Sequence, residues 1–118
     1  MLNLNSVMVG SMQHKKMVAF YQGVFGKKPD MEDSGWTGWM VGSTFFAVGE
    51  HSKMKGAAKD AGRVMFNFET KKVKEEFERI TKLGAKVIKE PYQMGPAWIV
   101  TLSDPDGNYF QLMTPWEG

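Results

Sequence analysis

The sequence predicts an α+β fold built from two tandem βαβββ modules. Their curved, mostly antiparallel sheets surround a cleft, with the helices on the outer face. Three observations lead there. Two stretches carry apolar residues at helical spacing, each flanked by strand-like runs in the same order. A glycine-bearing stretch of mixed charge, Gly49–Arg63, separates the two sets. Short echoes recur at matching places: Val7–Val9 and Val64–Phe66 each precede a helix, and Phe20 and Phe77 hold corresponding helical positions.

The elements follow in order. Ser6–Val9 is short, apolar and β-branched, a strand. Met17, Phe20, Tyr21 and Val24 then fall at i, i+3, i+4 and i+7, one buried helix face. Gly26 is placed to end that helix, with Pro29 soon after. Met31–Gly35 is a weak strand or a loop. "GWTGWMV" and "TFFAV" are strands joined by the turn "GS". After the linker, Val64–Phe68 is a strand and Thr70 a candidate helix N-cap. Val73, Phe77, Ile80 and Leu83 mark a second amphipathic helix ended by Gly84. "AKVIKEP", "WIVTLS" and "NYFQLM" are the last strands, the final two joined by Asp-Pro-Asp-Gly. The modules run over about 1–50 and about 63–118, with a linker over about 51–62, all within one domain of ordinary size.

Composition narrows the function classes. The chain has 118 residues and a net charge of +2, and its lysines alternate with acids, as in "KKVKEEFERITK". That is a solvated helix face, and nucleic acid is not an expected partner. No apolar run approaches the ~20 residues of a membrane helix, so no membrane partner is expected either. The start lacks the basic and apolar regions of a secretory leader. There are no cysteines, which excludes disulfides, thiolate catalysis and cysteine metal sites. A cytoplasmic protein is expected. Ten methionines and four tryptophans give a small domain the composition of an aromatic-lined pocket.

Three segments carry a resemblance. "AFYQGVFG" (Ala19–Gly26), "LGAKVIKEP" (Leu83–Pro91) and "DPDGNYFQL" (Asp104–Leu112), in this order and with the paired modules, resemble the vicinal oxygen chelate superfamily. That group includes glyoxalase I, bleomycin-resistance proteins, fosfomycin-modifying thiol transferases and extradiol dioxygenases. The resemblance spans essentially the whole chain. It implies a small-molecule site and, in the metal-dependent members, divalent-metal ligands at fixed strand positions. Carried over, those positions fall on Ser6, Phe46, Arg63 and Gln111. Arginine cannot ligate a divalent cation, phenylalanine has no donor atom, and serine is a poor ligand. No metal and no cofactor are therefore expected. The bleomycin-resistance-like branch, which sequesters a drug without metal in a dimer cleft, is the nearest precedent.

Strand alternation then assigns faces, with Gln111 as the anchor. The cleft side receives Ser6, Met8 and Gly10; Thr44, Phe46 and Val48; Arg63, Met65 and Asn67; and Tyr109, Gln111 and Met113. Trp36, Trp39 and Trp98 stand as candidate walls, and Trp116 as a cap or dimer contact; core packing is the competing role for each. Arg63 either offers positive charge to a carboxylate, phosphate or enolate oxygen or stands in solvent at the linker's end.

The expected function is a metal-independent binding protein, a homodimer, that sequesters or carries a partly aromatic ligand, as in antibiotic resistance. The alternative is an enzyme of the same superfamily, metal-dependent or metal-free, of lyase, isomerase, thiol transferase or dioxygenase type. No nucleophile elbow, phosphate loop or carboxylate dyad is present to name a catalytic residue.

Overall fold

The computed structural model describes residues 1–51 and 53–115. Trp116 lies outside them. The chain forms two compact units, Met1–Gly56 and Ala57–Gly118.

In the first unit, β1 (Ser6–Ser11) is followed by α1 (His14–Phe25), β2 (Met31–Asp33), β3 (Trp36–Val41) and β4 (Thr44–Glu50). The sheet order is β1-β4-β3-β2. β1 and β4 pair parallel, and the other pairs are antiparallel. α1 buries Met17, Phe20, Tyr21 and Val24, the predicted face. It stops at Gly26, whose φ of 68° lets its N–H close on the Gln22 carbonyl. The weak segment is a three-residue strand. It is joined to β3 by Ser34 and Gly35 at φ 45° and 87°, the twist a two-residue hairpin needs.

In the second unit, β5 (Phe66–Glu69) is followed by α2 (Val73–Thr81), β6 (Lys86–Met94), β7 (Ala97–Ser103) and β8 (Tyr109–Met113). The order is β5-β8-β7-β6, again with one parallel pair, β5 with β8. The fold is therefore α+β with two matching modules. No described helix is long and apolar enough to cross a membrane.

Several boundaries move. β5 begins at Phe66, not Val64, because the chain through Arg63 and Val64 is still turning: Arg63 N–H closes on the Asp60 carbonyl. Thr70 is not the N-cap. Its Oγ1 accepts the Lys72 N–H in a local turn, and the helix starts one residue after that lysine. Leu83 lies past the helix end and is exposed, so Val73 and Ile80 are the residues α2 buries. β6 runs on to Met94, with irregular pairing on either side of Lys89.

The first unit's core is aromatic. Phe46 sits against the rings of Tyr21 and Phe25 at 4.8 and 5.4 Å between centroids. Trp39 packs edge-on to Phe25, and its Nε1–H donates to the Lys27 carbonyl. Each such ring contributes about 1.5–3 kcal/mol by leaving water. The second core gathers Val100, Leu102, Phe110 and Leu112 with Val73 and Ile80. β7 and β8 meet α2, and Val100–Leu112 and Leu102–Phe110 are register partners.

Candidate functional site

Each sheet has one face against its helix and one turned away from it. In β1, Val7 pairs with Phe46 and Val9 with Val48, so these four share the helix side. Ser6, Met8 and Gly10 point the other way. In β4 the helix-free side holds Phe45, Ala47 and Gly49, not Thr44, Phe46 and Val48. The expected face for β4 is thus corrected by one residue. Phe46, 3% exposed and ringed by Tyr21 and Phe25, is core. The reason is that β4 is apolar on both sides, so hydrophobicity could not discriminate between the two registers.

The same parity corrects two tryptophans. Trp39 pairs with Phe46 and is buried under α1. Trp98 alternates with Val100 and Leu102 on the helix side of β7, where Lys74 of α2 places its ammonium 4.0 Å from the ring centroid. Trp36 does stand on the helix-free face, as the register partner of Gly49.

That face of the first unit has a distinctive floor. A Cβ on Gly49 would meet the six-membered ring of Trp36, and one on Gly38 would meet the Phe45 ring, both closer than 3.0 Å. The two glycines exist so that the rings can lie down on the sheet. Ala47 lies among them as the register partner of Gly38, and Met8 and Met40 pair with Ala47 and Phe45. Phe45, Gly38 and Gly49 are not legible as site residues in the register that the sequence suggests for β4. The signal that could have found them is a glycine inside each of two aromatic strands.

The second unit's helix-free face is more polar. Asn67 and Gln111 are register partners, as are Gln111 and Thr101. Gln111 Nε2 donates to Thr101 Oγ1 at 2.9 Å. Tyr109 and Met113 flank Gln111 on the same side, and the chain at Gly62 passes the Tyr109 ring, 3.6 Å from where a Cβ would stand. Glu69, opposite Met113, also shares this face. The strand expected from sequence, Val64–Phe68, stops one residue short of it, whereas β5 runs to Glu69. Arg63 and Met65 precede β5. The Arg63 side chain is 79% exposed and lies 3.6 Å from the Asp60 carboxylate. Of its two open roles, the structure places it in solvent.

Asp104 builds the turn that delivers Tyr109 and Gln111. Its buried Oδ1 accepts the N–H groups of Asp106 and Asn108 at 2.9 and 3.0 Å, and Asn108 Nδ2 donates to both carboxylate oxygens. The Asp-Pro-Asp-Gly-Asn motif is thereby accounted for as architecture.

The four carried-over ligand positions do not fit a divalent metal. Phe46 is core and has no donor atom, and the exposed Arg63 guanidinium cannot ligate a divalent cation. No group of three or more His, Asp or Glu that could hold a metal exists among the described residues. His14 shares a 3.3 Å hydrogen bond with Thr37, and His51 Nδ1 accepts the Lys53 N–H.

A separate groove of about 1040 Å³ runs along α1 and the β2–β3 hairpin, with His14, Gln22, Lys27, Glu32 and Trp36 on its walls. Its charges have both signs, and Lys27 is held by Asp30. The groove therefore selects no single ligand chemistry.

Comparison with known proteins agrees with this architecture. The family model described as a glyoxalase-like domain matches residues 6–113. No curated protein matches. A glyoxalase/bleomycin resistance protein/dioxygenase family enzyme from Burkholderia phytofirmans superposes with a TM-score of 0.78 at 22% identity, covering 96% of this chain and 98% of that one. A lactoylglutathione lyase from Agrobacterium tumefaciens gives 0.73 at 18%, covering 95% and 92%. A glyoxalase/bleomycin resistance protein from Albidiferax ferrireducens gives 0.76 at 15%, covering 94% and 98%. At these identities the likeness is one of fold.

Proposed function

This chain belongs to the glyoxalase-like domain family, within the vicinal oxygen chelate superfamily, and from that premise we propose that it is a metal-independent small-molecule-binding protein. It holds a partly aromatic ligand for sequestration or carriage. The observation that carries this reading is the floor of the first unit: two aromatic rings laid on Gly38 and Gly49, with the exposed thioethers of Met8 and Met40 beside them. Flat, polarizable surface of this kind favours a flat apolar ligand by stacking and dispersion. Ser6, Met8, Trp36 and Phe45 are the contacts in the first unit. The second unit's helix-free face, taken by itself, carries Asn67, Tyr109, Gln111 and Met113, and there Gln111 keeps its carbonyl oxygen to accept from a ligand. A small-molecule site needs this mixture of apolar wall and few polar groups. The reading carries with it a cytoplasmic homodimer.

Three measurements test it. Titration with a panel of flat aromatic metabolites and antibiotics should quench tryptophan emission and raise Tm. A panel in which none does either removes the ligand reading. Elemental analysis of the purified protein should find no stoichiometric metal. Tightly held zinc, nickel, manganese or iron overturns metal independence. Sedimentation reports the oligomeric state.

A further inference from the structure

We propose that Met8, Met40 and Met54 form an oxidative modification site on the helix-free face of the first unit, and that their conversion to sulfoxides lowers that face's affinity for an apolar ligand. The effect on affinity rests on the ligand reading above; the modification itself does not. Met8 and Met40 stand beside Ala47 and Phe45 by strand register. Met54 folds over Gly10 on the same face, its Cγ 3.1 Å from the position a Cβ would take. Their exposures are 61%, 44% and 47%, whereas Met17, under α1, is 0% exposed. The chain has no cysteine to compete for an oxidant.

The oxidant is a peroxide. A thioether sulfur lone pair attacks one peroxide oxygen, the O–O bond breaks, and the second oxygen leaves as water or alcohol after proton transfer. Sulfur gains one oxygen and loses two electrons, and the peroxide is reduced. The product exchanges a flexible apolar side chain for a polar acceptor. Ala47 and Phe45 have no side-chain donor to meet that acceptor. A ligand covering it must strip its water without replacement.

The test treats the full-length protein with hydrogen peroxide and uses 8-anilinonaphthalene-1-sulfonate as the binding probe. Site-resolved mass spectrometry should show Met8, Met40 and Met54 oxidised about tenfold or more faster than Met17. Probe affinity should fall about fivefold or more, with circular dichroism unchanged. In the M8L/M40L/M54L variant the affinities before and after peroxide should agree, although Met12, Met65 and Met94 remain exposed. Oxidation of Met17 at a similar rate, undiminished affinity in the oxidised wild type, or an equal loss in the triple variant each overturns the proposal. Untreated protein that fails to bind the probe overturns the ligand reading instead, and with it the effect on affinity. The order of oxidation still reports on the modification.

Discussion

The Phe45 ring rests on Gly38 of the neighbouring strand, so close that Gly38 has no room for a Cβ. Trp36 and Gly49 repeat the arrangement one step along the sheet. Alanine at either glycine must lift a ring from the floor. We expect G38A and G49A to cost about 1–2 kcal/mol in urea denaturation, since each ring is half-exposed and can swing aside. Aromatic-ligand quenching should fall more sharply than stability. A variant as stable as wild type that binds equally well would refute the floor.

Phe45 and Phe46 are adjacent yet opposite in role. F46A opens a cavity beside Tyr21 and Phe25 and should cost about 3–5 kcal/mol. F45A should cost clearly less and act mainly on ligand binding. Equal destabilisation by the two would contradict the register of β4.

Arg63 pairs loosely with Asp60 in solvent. R63A should change stability by less than about 0.5 kcal/mol and leave ligand affinity unaltered. For the same reason the combination R63H/Q111E should not create a tight divalent-metal site, which titration calorimetry with zinc would check. Tight zinc binding by that variant would show Arg63 to be within reach of Gln111.

Asp104 accepts three N–H groups through one oxygen and binds Asn108 through the other. D104A removes the acceptor that these N–H groups share and should cost about 2–4 kcal/mol. Because the turn precedes β8, hydrogen exchange should quicken first at the amides of Asp106 and Asn108.

Asp30 offers a pH test. The Lys27 ammonium and the Met40 N–H donate to its carboxylate and hold its pKa below the ordinary value. The folded pKa is the lower one, so the contribution is present above the unfolded value of about 4 and is lost as pH falls through the folded pKa. The difference in Tm between wild type and D30N should be small, since the group is exposed, and should vanish at the acid end. A difference that grows as pH falls would contradict this assignment.

Much of the architecture was legible in the residues. Met17, Phe20, Tyr21 and Val24 announced α1 because a helix must bury one face. In β5 and β8 the polar Asn67 and Gln111 alternate with Phe66, Phe68, Phe110 and Leu112, so one register alone keeps amides out of the core. β4 carried no such marker. Phe45 and Phe46 are chemically identical, and only packing under α1 decides between them. Trp98 was equally silent, since tryptophan suits a core, a wall or a cation lid such as the one Lys74 provides.

What the sequence determined by itself was the order of elements, the repeat, the turn chemistry and the lack of a metal-ligating atom on Phe46 and Arg63. These follow from local period and from donor chemistry, which need no neighbour to be defined. Only the tertiary structure decided which aromatic rings face away from the helices, that Gly38 and Gly49 are seats for Phe45 and Trp36, and that Gln111 is held by Thr101. Those relations join neighbouring strands, β3 with β4 and β7 with β8, and depend on register and packing, which local period does not set. Where both faces of a strand are apolar, burial energy is nearly the same in either register, and shape complementarity with the packed partner makes the choice.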